Sequence, residues 1–252
     1  KGGVGKTTVS VNLAIALRQT GASVGLMDAD VYGPNVPLML GLANQEPQVR
    51  NEKIIPYEAF GMKTISIGLI LSDEQPLIWR GPMVHSAVTQ FLRGVDWGEL
   101  DYLVIDLPPG TGDAQLTLVQ TVPLCGVVIV TTPQAVALLD GKKGIAMFQK
   151  LRVPVLGIVE NMSTFICPHC QKETAIFDQG GGRREAERLG VPFLGAVPLD
   201  PRIRQGGATG RPIVIAEPGT PAAKIFHDMA GAVAARISTE NLTENLAQEE
   251  AI

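Results

Sequence analysis

Apolar positions along the chain switch between two periods. Val9, Leu13, Ala16 and Leu17 recur at helical spacing, and Gly21 closes that segment. Residues 23–27 read as a short strand running into Asp28-Ala29-Asp30. The alternation continues with a strand at 64–68 and a helix at 84–92. Tyr102-Leu103-Val104-Ile105 is a doubly apolar run of the kind found in a buried parallel strand. Residues 116–122 read as helix, 127–131 as strand and 136–151 as mostly helix. Strands at 155–159 and 193–197 flank a helix near 183–189. Ile225, Phe226, Met229, Val233 and Ile237 form a last amphipathic helix. Strands alternating with helices predict an α/β fold, a mostly parallel sheet flanked by helices on both faces. With no repeat and no low-complexity linker, a single domain over 1–237 is expected, followed by an acidic, flexible tail at 238–252.

The first residues carry the most chemistry. In Lys1-Gly2-Gly3-Val4-Gly5-Lys6-Thr7-Thr8, the glycines let the backbone turn tightly and aim N–H groups at an anion. Lys6 offers a positive charge for β- and γ-phosphates, and the Thr7 hydroxyl is a natural Mg²⁺ ligand. The helix that follows presents its partly positive N-terminus to the same anion. A phosphate loop normally follows a buried strand, so a strand ahead of Lys1, outside this sequence, is expected.

A phosphate site also needs carboxylates. Asp106 ends the apolar run 102–105, where a Walker-B Asp holds the metal. The loop Leu107-Pro108-Pro109-Gly110-Thr111-Gly112-Asp113 is rich in turn formers, and such a loop can rearrange with the γ-phosphate. Asp28 and Asp30 end another strand on the same edge, and parallel α/β sheets bind ligands at the carboxyl ends of their strands.

Composition narrows the partners. A net charge of −4 and few aromatics (5%) give no general reason to hold nucleic acid or a membrane surface. No apolar stretch approaches the ~20 residues of a membrane span. Of three cysteines, two form Cys167-Pro168-His169-Cys170. Three readings of that pair stand at this level: a dithiol/disulfide couple, bound zinc, or an iron–sulfur centre. Zinc or a cubane cluster usually takes four protein ligands, so the lone C-x-x-C suggests that two chains meet. His169 reads as a spacer and Cys125 as a small buried hydrophobe.

The segment KGGVGKTT resembles the deviant Walker A loop of the ATPase group that includes MinD, ParA and nitrogenase iron protein. Within that group the chain is most similar to the Mrp/ApbC iron–sulfur cluster carriers, through MDADVYGPNVPLMLG, VIDLPPGTGD, GIVENMSTFICPHC, IFDQGGGRREAERLGVPFLGAVPLDPRIR and GRPIV. The resemblance implies a cytoplasmic homodimer that binds ATP with Mg²⁺ and hydrolyses it slowly. It implies phosphate contacts from Gly2, Gly3, Val4, Gly5, Lys6, Thr7 and Thr8, with Lys1 reaching across to the partner's nucleotide. Asp30 matches the switch carboxylate that orients the attacking water, with Asp28 beside it in the metal region. Asp106 and Thr7 match the magnesium site. Asn161 falls where adenine is recognised, and Pro198 in the loop over the base. Cys167 and Cys170 would bind a [4Fe–4S] cluster between two subunits, zinc being the alternative occupant, for delivery to recipient apoproteins. Where many relatives carry an acidic residue before Gly-x-Pro, this chain reads Gly206-Gly207-Ala208-Thr209-Gly210-Arg211-Pro212. A positioning ATPase without a cluster is the other function to weigh. It predicts a basic face or a basic C-terminal helix, neither of which the sequence supplies.

Overall fold

The computed structural model describes residues 2–43, 45–69, 81–110, 116, 119–167, 169–170 and 172–249. Two compact units divide the chain: one of Lys6–Val122 with Pro201–Phe226, the other of Lys1–Gly5 with Pro123–Asp200 and His227–Ile252.

The Lys6–Val122 unit begins with α1 (Lys6–Gln19), which buries Val9, Leu13, Ile15 and Leu17. It stops at Gly21, whose φ of 102° no β-carbon favours. Then come β1 (Val24–Asp28), α2 (Val36–Met39), β2 (Gln48–Arg50), β3 (Lys53–Ile55), β4 (Tyr57–Ala59), β5 (Met62–Ser66), α3 (Gly81–Gly94) and β6 (Tyr102–Asp106). The sheet runs β4-β5-β1-β6, parallel except for the antiparallel β4–β5 pair. Leu26, Met27, Met62 and Ile65 are fully buried in it, each worth about 1.5–3 kcal/mol relative to exposure. Tyr102–Ile105 form a parallel strand as the pattern predicts and are half-buried here; among the described residues β6 pairs with β1.

The second unit holds β7 (Val127–Thr131), α4 (Ala135–Lys150), β8 (Val155–Asn161), β9 (Phe165–Ile166), β10 (Glu173–Thr174), α5 (Gly181–Leu189) and β11 (Phe193–Val197). Its parallel sheet runs β11-β8-β7, and the central strand β8 is buried at every position. β9 and β10 pair antiparallel, making a short tongue between β8 and α5.

The chain then returns to the Lys6–Val122 unit with α6 (Pro201–Ala208) and α7 (Ile213–Ala216). Here two backbones touch: a β-carbon on Gly210 would lie 2.6 Å from the Cα of Gly41, and both residues have φ near 70°. Last is α8 (Pro221–Glu249), which takes in residues 238–249 of the segment read as a tail. An Arg236–Glu240 pair at 3.2 Å, one turn apart, supports that extension.

Candidate nucleotide site and cysteine turn

Three strand ends are set side by side by register. Asp28 of β1 lies opposite Ser66 of β5 on one side and Asp106 of β6 on the other. α1 packs against β1 and β6, so the face it opens with meets those ends. Thr7 Oγ1 donates to Asp106 Oδ2 at 2.7 Å, and Ser10 Oγ donates to Asp106 Oδ1 at 2.9 Å. Asp28 Oδ2 accepts from Ser66 Oγ at 2.8 Å and from Val36 N–H at 3.3 Å, while its Oδ1 accepts from Asp30 N–H at 3.1 Å. Asp30 Oδ1 accepts from Tyr32 N–H at 3.1 Å.

These three carboxylates are buried close together, and their protonation reflects it. Burial, and then the Asp106 charge, push the Asp28 carboxyl up to about 7 against hydrogen bonds from Ser66, Asp30 and Val36. Burial raises Asp106 as well, opposed by the Thr7 and Ser10 hydroxyls and by Lys6. Asp30 is raised by burial and held back by Tyr32 N–H, Lys6 and Gly33 N–H. A divalent cation held by Thr7 and Asp106 would offset this crowding of carboxylates. The donor set is all hard oxygen and includes Thr7 hydroxyl and Asp106 carboxylate, which suits Mg²⁺.

The structure thus brings Lys6, Thr7, Asp28, Asp30 and Asp106 into one constellation and adds Ser10 and Ser66. Ser10 sits three residues after Thr7, so it shares the helix face. Ser66 could be found only from strand register. Lys1 lies outside the described residues, as does 111–115 of the loop after Asp106. Gly2 and Gly3 are exposed, and Gly3 and Gly5 have φ of 79° and 84°. Thr8 sits in the first turn of α1, where its carbonyl accepts from Asn12 Nδ2 at 2.8 Å.

In the other unit, Asn161 ends β8, and its Nδ2 donates to the Val4 carbonyl at 2.8 Å. A β-carbon on Gly5 would collide with that amide. Pro198 follows β11, half-buried. Cys167 and Cys170 sit on the tongue at the turn between β9 and β10. Cys167 is half-exposed and Cys170 exposed. The Cys167 sulfur accepts the backbone N–H of Cys170, then that of His169, and the Cys170 thiol, which together hold its pKa below the ordinary thiol range. Backbone N–H groups beside a sulfur favour its thiolate form. Among the described residues no three His, Cys, Asp or Glu side chains group as metal ligands. Cys125 is exposed, contrary to the expectation of a buried hydrophobe. The close approach there belongs to Gly126, whose β-carbon would lie 2.6 Å from Leu156.

Phosphate loop, α1, hydroxyl–carboxylate pair and parallel strands together define a P-loop nucleoside-triphosphatase fold. A family model described as ParA, NUBPL iron-transfer P-loop NTPase, matches residues 1–234, and the chain belongs to that family. It is 53% identical over 243 residues to the iron–sulfur cluster carrier protein of Synechocystis sp., covering 94% of this chain and 69% of the relative. Among solved structures, the nucleotide-binding protein of Archaeoglobus fulgidus in complex with ADP superposes with a TM-score of 0.78 at 37% identity, covering 90% of this chain and 88% of that one. Pyrococcus horikoshii MinD with Mg-ADP shares the fold, with a TM-score of 0.69 at 23% identity, covering 91% and 90% of the two chains.

Proposed function

We propose that this protein is an ATP-hydrolysing carrier of a [4Fe–4S] cluster, bound between two subunits and delivered to recipient apoproteins. The observation that carries this reading is the pairing of Cys167 and Cys170 on one turn between β9 and β10, in a chain of an iron-transfer family. Two thiolates per chain fall short of four, and a two-fold axis supplies the same pair twice. Cytoplasmic location and slow hydrolysis belong to the same reading. No helix among the described residues is long and apolar enough to cross a membrane.

In this reading Gly2, Gly3, Val4, Gly5, Lys6, Thr7 and Thr8 bind the phosphates, and Asn161 and Pro198 bind the adenine. Thr7 and Asp106 hold Mg²⁺, which supplies charge neutralisation at the β- and γ-oxygens when bound. Asp30 orients the attacking water, Asp28 supports the metal region, and Lys1 reaches the partner's nucleotide. The test is anaerobic reconstitution, with iron and sulfide analysis and sedimentation on one sample. About four irons and four sulfides per dimer are expected. A full cluster on a monomer, or zinc that iron does not replace, overturns the bridging cluster.

A further inference from the structure

The cysteine tongue is hinged at both ends on the strand ends that hold the candidate base-binding residues. Its outgoing end leaves β8 through Met162, which adopts a left-handed φ of 55°. Ser163 is then fastened to β11: its N–H and its Oγ donate to the Val197 carbonyl at 2.9 and 3.1 Å. Leu199 N–H donates to the Thr164 carbonyl at 2.8 Å. These bonds bracket Pro198. The returning end passes through Asp178 and Gly180, with φ of 82° and 74°, into α5.

That returning end is held by one side chain. Glu160, 1% exposed, sits in β8 immediately before Asn161. Its Oε1 accepts Gly180 N–H at 3.0 Å, and its Oε2 accepts Gly182 N–H at 2.6 Å. A carboxylate on the first turn of a helix is well placed for the helix dipole. Here it comes from a strand about 20 residues earlier rather than from a local cap. The packing is close: a β-carbon on Gly182 would lie 3.0 Å from Glu160 Cβ and 3.2 Å from Oε2. Asn161, the next residue, bonds the phosphate-loop carbonyl of Val4. A shift at Asn161 therefore moves the residue that fixes the tongue.

We infer that Glu160 is a positioning residue that transmits nucleotide occupancy at Asn161 to the cysteine tongue, and so sets how firmly the cluster is held. This rests on the carrier reading above. Glu160 is not among the residues assigned to the nucleotide or the cluster. It acts through the Gly180–Gly182 segment, whose N–H groups occupy both oxygens of its buried carboxylate.

Glu160→Gln tests this in the reconstituted full chain. An amide accepts through one oxygen only and turns its own N–H toward the second glycine N–H, so one of the two bonds is replaced by a donor–donor contact. Three quantities are read: Mg-ATP affinity, iron content, and the rate at which a ferrous chelator removes iron with and without Mg-ATP. Wild type is expected to change its release rate with nucleotide by roughly fivefold or more, the scale of ordinary coupling. E160Q is expected to bind Mg-ATP within about fivefold of wild type, to load iron, and to release it at one rate with or without nucleotide. Gly182→Ala presses on the same carboxylate from the helix side while keeping every ligand, and should reproduce the uncoupling if E160Q fails to fold. Wild-type nucleotide dependence in folded E160Q, or in G182A when E160Q does not fold, overturns the proposal. So does lost ATP affinity in E160Q, which would make Glu160 a support of the base site. A wild type that loads no iron instead removes the carrier reading beneath it.

Discussion

Replacing Asp28 by Asn should make the nucleotide-free protein more stable above neutral pH. Asp28 is completely buried, and its carboxyl is raised from 3.8 to about 7, first by burial and then by Asp106. The sign follows from proton counting. The unfolded chain releases this proton near 3.8, whereas the folded chain keeps it to about 7, so stability falls as pH rises through that window. Over the full window the loss is about 4 kcal/mol, of which roughly 2–3 kcal/mol falls between pH 5 and 8. Asn carries no charge and escapes this loss. Its cost is one acceptor: the Asn oxygen can keep the Asp30 N–H, and Ser66 can turn to accept from the new amide, but Val36 N–H loses its partner. That is worth about 1 kcal/mol. Urea unfolding in chelator, at several pH values, should therefore give D28N an advantage of roughly 3 kcal/mol near pH 8 that shrinks steadily toward pH 5. Parallel pH profiles for the two proteins would refute the reasoning, because they would mean that Asp28 is ionised at no cost in the fold.

Lys6→Ala or Thr7→Ala should weaken Mg-ATP binding severely, read by calorimetric titration; unchanged affinity in both removes the phosphate-loop assignment. Asp30→Asn should keep binding yet slow single-turnover phosphate release by ~10²-fold or more, and wild-type turnover would put the water-orienting role elsewhere. Cys167→Ser and Cys170→Ser should each abolish reconstituted iron, while Cys125→Ser leaves it intact; iron loss in C125S would bring the third thiol into the site. Lys1→Ala should remove the dependence of specific hydrolysis rate on protein concentration, measured by dilution series.

The long, strongly patterned elements were legible because their apolar periods report burial directly: β1, β7, β8, β11, α1 and α4 all lie where the pattern predicts. β2 and β3 escaped because three-residue, mostly exposed strands such as Gln48-Val49-Arg50 carry no alternation to read. Their turn rests instead on Asn51 and Glu52 at φ of 50° and 63°. At the site, residue types announced Lys6, Thr7 and the three aspartates. Ser66 and Glu160 were hidden because their roles come from cross-strand register and from a partner about 20 residues away, neither of which a local pattern encodes. Cys125 was misread for a related reason: an apolar neighbourhood in sequence does not say which of two adjacent residues faces inward.

The Gly41–Gly210 contact has a consequence for inheritance. Any missense change in a glycine codon adds at least a β-carbon. At Gly210 that atom would lie 2.6 Å from the Gly41 backbone, and at both positions it meets a left-handed φ. Gly41 follows α2 and Gly210 precedes α7, so a lesion at either would part these two backbones without altering a candidate ligand. In a population of variants these two codons would tolerate little change. Intolerance alone would then mark two residues that lie outside the carboxylate cluster.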